Sequence, residues 1–216
     1  MILMSNEALA SHATFILHHA GRRLELRPFR SQDVGALTLA LQVSISELRS
    51  FSPWALGPVN EASSSERIRE WARDFAAGTS YELGMFLQEE LVGGVALGAH
   101  TPNPRCLDIS VWTSTPRARQ GYATLALRSA VVLAFDRLGA LRVQMSHDVR
   151  NGASAALAER CGFQREGVCR GLTRLGKTAS EYKAVGDAVL YGMLPEDVRD
   201  TAWYRELANA LQQEQR

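Results

Sequence analysis

What this sequence lacks bounds it before any motif is considered. No apolar run approaches the ~20 residues a helix needs to cross a bilayer, so a membrane span is set aside and a soluble, cytoplasmic protein is expected. Only three cysteines occur, Cys106, Cys161 and Cys169, an odd number without C-x-x-C spacing. That pattern argues against a disulfide framework and against zinc, leaving reduced thiols and no metal. Charge of either sign is not in excess: 24 Lys and Arg face 23 Asp and Glu, a net +1. Such a chain generates no long-range field to gather nucleic acid or an anionic membrane, and neither is expected as a partner. Residues 1–4 are apolar but are broken at once by Ser5, Asn6 and Glu7, with no basic stretch, and do not read as a signal peptide. No internal repeat, low-complexity linker or compositional break divides the chain.

What is there suffices for one hydrophobic core, since 216 residues, 46% of them hydrophobic, fit a single α/β domain. Residues 23–29 (R-L-E-L-R-P-F) alternate as a half-buried strand does, and Pro28 places its end near an edge. Ser31 then precedes one long helical stretch in which Leu37, Leu41, Ile45 and Leu48 recur at spacings of three and four. Pro53, Gly57 and Pro58 make 51–60 a loop anchored by Trp54, and a helix over 63–77 carries Ile68, Trp71 and Phe75 before Gly78 ends it. Strands over 81–87 and 91–97 flank a turn at Gln88, Glu89 and Glu90. A further strand, 107–113, leads to an Ala- and Leu-rich helix opened by Gly121, a strand over 141–147 and a short helix over 152–160. Weaker strand signals follow at 164–169 and 184–193.

The fold class is mixed α/β (α+β), with an extension over 1–21, a domain over 22–195 and a helical tail over 196–216. In that tail Trp203, Leu207 and Leu211 form a narrow apolar stripe. The stripe is buried either on its own domain or in a contact between copies, so monomer and homodimer both stay open.

The segment 116–123 (P-R-A-R-Q-G-Y-A) lies between a strand and a helix, where a phosphate group fits. Gly121 lets the backbone approach closely, the first helical amides have no internal partner, and the helix dipole favours an anion. Arg117 and Arg119 add charge. This is no dinucleotide fingerprint, because the full G-x-G-x-x-G is missing. After the next strand, Asn151 opens N-G-A-S-A-A-L-A-E-R-C-G-F at the position of a helix cap.

Taken in order, L-R-P-F, P-W at Pro53 and Trp54, D-I-S-V-W, R-Q-G-Y-A-T-L-A-L, N-G-A-S-A-A-L-A-E-R-C-G-F and V-L-Y-G-M-L-P-E-D resemble the GNAT superfamily of acyl-CoA N-acyltransferases. Within it the likeness is to the RimJ/RimL type, which acetylates N-termini of ribosomal proteins. The resemblance implies a mostly antiparallel sheet flanked by helices and splayed between the Leu107 strand and the Leu141 strand, the fourth and fifth of those read above. Coenzyme A would be wedged in the V. Arg119, Gln120, Gly121, Tyr122 and Ala123 would bind its diphosphate through backbone amides, with the hydroxyl of Thr124. The family's Arg or Gln falls on Ala118, so Arg117 or Arg119 supplies that charge. Ile109, Val111 and Trp112 would lie along the pantetheine, and Asn151 would bind the cofactor arm.

The implied activity is transfer of acetyl from acetyl-CoA to an amine, such as the N-terminal α-amine of a ribosomal protein. A small-molecule amine, or an acyl-CoA-binding module without turnover, is the alternative. Asp108 is the candidate base, working through water, and His147 its alternative; Ser154 would hydrogen-bond the departing sulfur. The Tyr that many members carry falls on Ala158, and a RimL-type glutamate falls near Thr173. His18 and His19 read as exposed tail. Arg165, Arg170, Arg174, Lys177 and Lys183 form a basic cluster that either meets the 3′-phosphate or is solvated surface.

Overall fold

A computed structural model describes residues 14–19, 21–99, 103–175 and 184–213. The Met-rich start and the cluster members Lys177 and Lys183 lie outside them. The architecture is one sheet with helices on both faces. Its strands are β1 (Phe15–His19), β2 (Arg22–Pro28), β3 (Ser80–Leu87), β4 (Glu90–Ala99), β5 (Cys106–Thr113), β6 (Arg142–Asp148), β7 (Gln164–Leu175) and β8 (Ala184–Met193), in the order β1-β2-β3-β4-β5-β6-β8-β7. All pairings among these are antiparallel except β5 with β6, which is parallel.

Each face of the sheet is apolar for a reason visible in the alternation of its strands. On β5, Leu107, Ile109 and Val111 point one way, into the core built on α4 (Tyr122–Asp136), α5 (Gly152–Cys161) and α7 (Ala202–Gln213). Trp112 points the other way, into a smaller core with α1 (Val34–Gln42), α2 (Ile45–Phe51) and α3 (Glu61–Ala77). Because α4 is covered by the sheet on one side and by α5 and α7 on others, Ala126, Leu127 and every residue from 129 to 135 are buried. A short helix after β8, α6 (Pro195–Val198), turns the chain toward α7.

Two sequence expectations change, and a third that was left open is narrowed. The long helix after Ser31 is two helices, broken where the buried Ser44 accepts the Thr115 amide at 2.9 Å through its hydroxyl. His18, read as tail, is an exposed residue of edge strand β1, which pairs with β2. The tail's apolar stripe is covered within its own domain, with Leu207 and Leu211 buried beside α4 and β1. Asp33 and Arg27 form a buried pair at 2.7 and 2.9 Å that ties the end of β2 to the turn entering α1.

Candidate active site

The parallel pair holds for only three residues. Cys106, Leu107 and Asp108 face Arg142, Val143 and Gln144, and beyond them β5 and β6 part. Above the parting, among the described residues, β5 pairs only with β4 and β6 only with β8, so a V opens toward the C-terminal ends of both strands. At its mouth stands the N-terminus of α4. Gly121 occupies the cap position at φ 86°, in the left-handed region that favours glycine, and among the described residues no side chain caps the helix. A 15-residue helix thus points its unsatisfied amides and the positive end of its dipole at the cleft. Arg119 is also left-handed, at φ 61°, so two positive-φ residues lie in the turn that enters α4.

The cleft is a cavity of about 1320 Å³, more than a drug-sized ligand occupies. Of the residues expected there, Val111, Trp112, Arg117, Arg119, Gly121, Tyr122, Ala123, Thr124, Asn151 and Ser154 line it. Asn151 caps α5, its side-chain oxygen accepting the Ser154 amide at 3.1 Å, so one residue sets both the helix start and the cleft wall. The Arg117 guanidinium is held by Glu90 at 2.7 Å, and that hydrogen bond keeps the Glu90 carboxyl below its ordinary range. Of the two arginines weighed for the charge at Ala118, Arg117 is therefore already paired.

Four expected residues stand outside the lining, each for a physical reason. Ile109 points into the α4 core and is buried. Gln120 folds back, its amide donating to the Pro116 carbonyl at 3.3 Å. Asp108 sits where the strands are still zipped, accepting from the Gln144 side chain at 2.8 Å. His147 is buried on β6, with Nδ1 2.9 Å from the Asp148 carbonyl, Nε2 unpartnered and the ring stacked on Tyr191.

Sequence reasoning missed the far wall. Trp203, Glu206, Leu207 and Ala210 of α7 and Ile16, Leu17 and His18 of β1 close the cleft, with Arg128 and Arg160 beside them. Arg128 lies 4.9 Å over the Trp203 ring and donates to the Arg160 carbonyl at 2.9 Å, while Arg160 reaches the Thr124 hydroxyl at 3.4 Å. Nearby, burial pushes the Cys161 thiol up to about 11, so it acts as packing rather than as a nucleophile.

A V-shaped cleft with an uncapped helix at its mouth suits an elongated diphosphate-bearing ligand, and the comparison with families decides which. The model of the Acetyltransferase (GNAT) domain matches residues 23–164. The chain belongs to the GNAT acetyltransferase family. Among curated proteins, its sequence is 31% identical over 103 residues to the "Putative ribosomal N-acetyltransferase YdaF" of Bacillus subtilis (strain 168), a match covering 48% of this chain and 56% of that protein. The chain thus spans little more than half the length of that curated relative. Among solved structures, Mycobacterium smegmatis RimJ in complex with CoA-disulfide superposes with a TM-score of 0.79 at 21% identity, over 91% of this chain and 93% of that one. RimL, the ribosomal L7/L12 alpha-N-protein acetyltransferase in complex with coenzyme A, does so with a TM-score of 0.72 at 22% identity, over 83% and 97%. At those identities the likeness is one of fold, and the GNAT fold is what the splayed sheet displays. Among the described residues, no helix is long and apolar enough to cross a membrane and no cluster of His, Cys, Asp or Glu is arranged to hold a metal ion.

Proposed function

We propose that this GNAT protein transfers acetyl from acetyl-CoA to the N-terminal α-amine of a protein in the cytoplasm, a ribosomal protein being the class its relatives' names point to. The observation that carries the reading is the opening of β5 from β6 directly beneath the uncapped α4 N-terminus. A diphosphate fits the backbone amides at 119–123, with Thr124 and Arg119 at hand, and a pantetheine arm then lies along Val111 and Trp112 within the V. Ser154, on the cleft wall at the start of α5, is placed to donate its hydroxyl to the departing sulfur.

An α-amine suits this site better than a lysine because little work is needed to deprotonate it. At pH ~7.4 a group with a pKa near ~8 is neutral for under ~1 kcal/mol, whereas one near ~10.4 costs about 4 kcal/mol. Thiol release from acetyl-CoA with a panel of tripeptides beginning Ser, Ala or Met tests the reading. Release should require the free α-amine and stop when it is blocked. Equal release from an α-blocked lysine peptide, or none from any member, overturns it.

A further inference from the structure

On the sheet face that carries α1, α2 and α3, β3 brings a carboxyl to the level at which the V opens. Glu82 on β3 lies opposite Ala96 on β4, and Ala96 opposite Ser110 on β5. Residues directly opposite one another share a face, so these three form one row across the sheet. The neighbouring row is Ser80, Gly98 and Asp108. Asp108 is the last β5 residue paired to β6, which makes Ser110 the first side chain on this face above the parting. In that row Ala96, with its methyl side chain, is the residue between Glu82 and Ser110, and no heavy atom beyond its chain neighbours lies within 4 Å of the position of a Cβ at Gly98. Two strand spacings separate the backbones of Glu82 and Ser110 by about 10 Å, a gap that a glutamate side chain and one or two waters span.

We propose that Glu82 is the proton acceptor for the acceptor amine, working through water that lies over Ala96. The inference rests on reading the V as the acyl-CoA site, since a pantetheine arm entering at the Gly121 loop runs toward the closed end and brings its thioester to the Ser110 row. From α3, Arg67 and Asp74 face Glu82, with Glu70 acting on Arg67; Asp108 on β5 and Glu25 on β2, the latter opposite Phe86, are further carboxyls on this face. Arg67 is itself fixed, donating to the Trp54 carbonyl at 3.3 Å and lying over the Trp54 and Trp71 rings. Burial pushes the Glu82 carboxyl up to about 7, Arg67 opposing and Asp74 adding to the rise. A base with that poise accepts protons most effectively near neutral pH.

The proton and electron movements balance without a further reactant. The acceptor ammonium passes one proton through water to the Glu82 carboxylate. Its nitrogen then attacks the thioester carbonyl carbon, forming the C–N bond and moving the C=O pair onto oxygen. Collapse of the tetrahedral oxyanion breaks the C–S bond, and the departing sulfur takes the second proton from nitrogen. Glu82 returns its proton to solvent, so ammonium and thioester yield amide, thiol and one proton.

The test uses the full chain, acetyl-CoA and the best acceptor of the tripeptide panel, with kcat/KM followed as a function of pH and acetyl-CoA affinity measured by calorimetry on the same samples. Glu82→Gln should bind acetyl-CoA as the wild type does, lose about 100-fold in kcat/KM and lose the acidic limb centred near pH ~7. Glu82→Asp should keep that limb at a reduced rate. Ala96→Leu, which fills the water's place, should lose rate with Glu82 intact. A second readout does not depend on turnover. A carboxyl whose folded pKa lies above its unfolded value costs stability as pH rises through that interval, so Glu82→Gln should melt above the wild type at pH ~8 and level with it at pH ~4. An unchanged limb with a rate within about threefold of wild type, or a limb removed by Asp108→Asn and not by Glu82→Gln, overturns the role of Glu82. A wild-type protein that fails to bind acetyl-CoA overturns the cleft reading and this inference together, whereas normal binding with an unmoved profile overturns this inference alone.

Discussion

Replacing Gly121 with valine perturbs the proposed diphosphate site at its pivot. Gly121 sits at φ 86°, where a side chain with a Cβ costs about 1–2 kcal/mol and a β-branched one more. If the backbone holds its course, the folded protein carries that strain, and the melting temperature falls by roughly 3–8 °C for a domain of this size. If the loop relaxes instead, stability is kept but the α4 amides turn away from the cleft. In the first case the valine side chain stands where the diphosphate approaches the backbone, and in the second the ligand loses at least one hydrogen bond to a charged oxygen, worth about 1.5–3 kcal/mol, so acetyl-CoA affinity should fall by about 10-fold or more either way. S-acetylpantetheine, which has no diphosphate, is the control: its weaker binding should be the same for both proteins. Calorimetric titration of each ligand, with circular dichroism to confirm the fold, measures the contrast. Equal acetyl-CoA affinity for Gly121→Val and wild type, within about twofold, would refute the placement of the diphosphate at this helix.

Other perturbations have equally defined outcomes. Ser154→Ala should lower kcat by about 10-fold while leaving the acetyl-CoA dissociation constant unchanged, because the hydroxyl acts on charge that develops only as sulfur departs; single-turnover kinetics separate the two. Asp148 is held down to about 2 from 3.8, chiefly by its hydrogen bonds from Arg150, with Thr173 adding at 3.2 Å. A depressed carboxyl contributes stability above its unfolded pKa that is lost as pH falls through the folded one, so acid titration between pH ~4 and ~2 should cost the wild type about 1 kcal/mol more than Asp148→Asn. Ending the chain after Asp200 removes α7 and with it the buried Tyr204, Leu207 and Leu211 and the Tyr204 hydrogen bond to Asp136 at 2.7 Å. Burial of such side chains is worth about 1.5–3 kcal/mol each, so thermal unfolding should show a large loss, accompanied by weaker acetyl-CoA binding through the missing cleft wall.

What was legible in the sequence was what is local. The Gly121 turn, the Asn151 cap and the alternation of 107–113 each sit within a few residues, and their spacing carries the order of elements and the place of the proposed phosphate site. Edge strand β1 was not, because F-I-L-H-H has no alternation to mark it and gains its place by pairing with β2. The break between α1 and α2 comes from the distant Thr115 amide rather than from a helix breaker. The far wall depends on Arg128 meeting Trp203, a contact between helices that no spacing reveals. Asp108 and His147 have the chemistry of a base, but side-chain direction and strand pairing decide what a residue faces, and Gln144 and Tyr191 are what they meet. Nothing in the 81–87 strand pattern singles out Glu82; only the register that aligns it with Ala96 and Ser110 gives it a role to test.

A crystal structure of the protein grown with acetyl-CoA is the most direct trial of the site. The diphosphate is expected within hydrogen-bonding distance of the amides around Gly121, and the pantetheine between β5 and β6 with its thioester beside Ser110. Coenzyme A bound elsewhere, or β5 and β6 zipped beyond Asp108 with the ligand excluded, would contradict it.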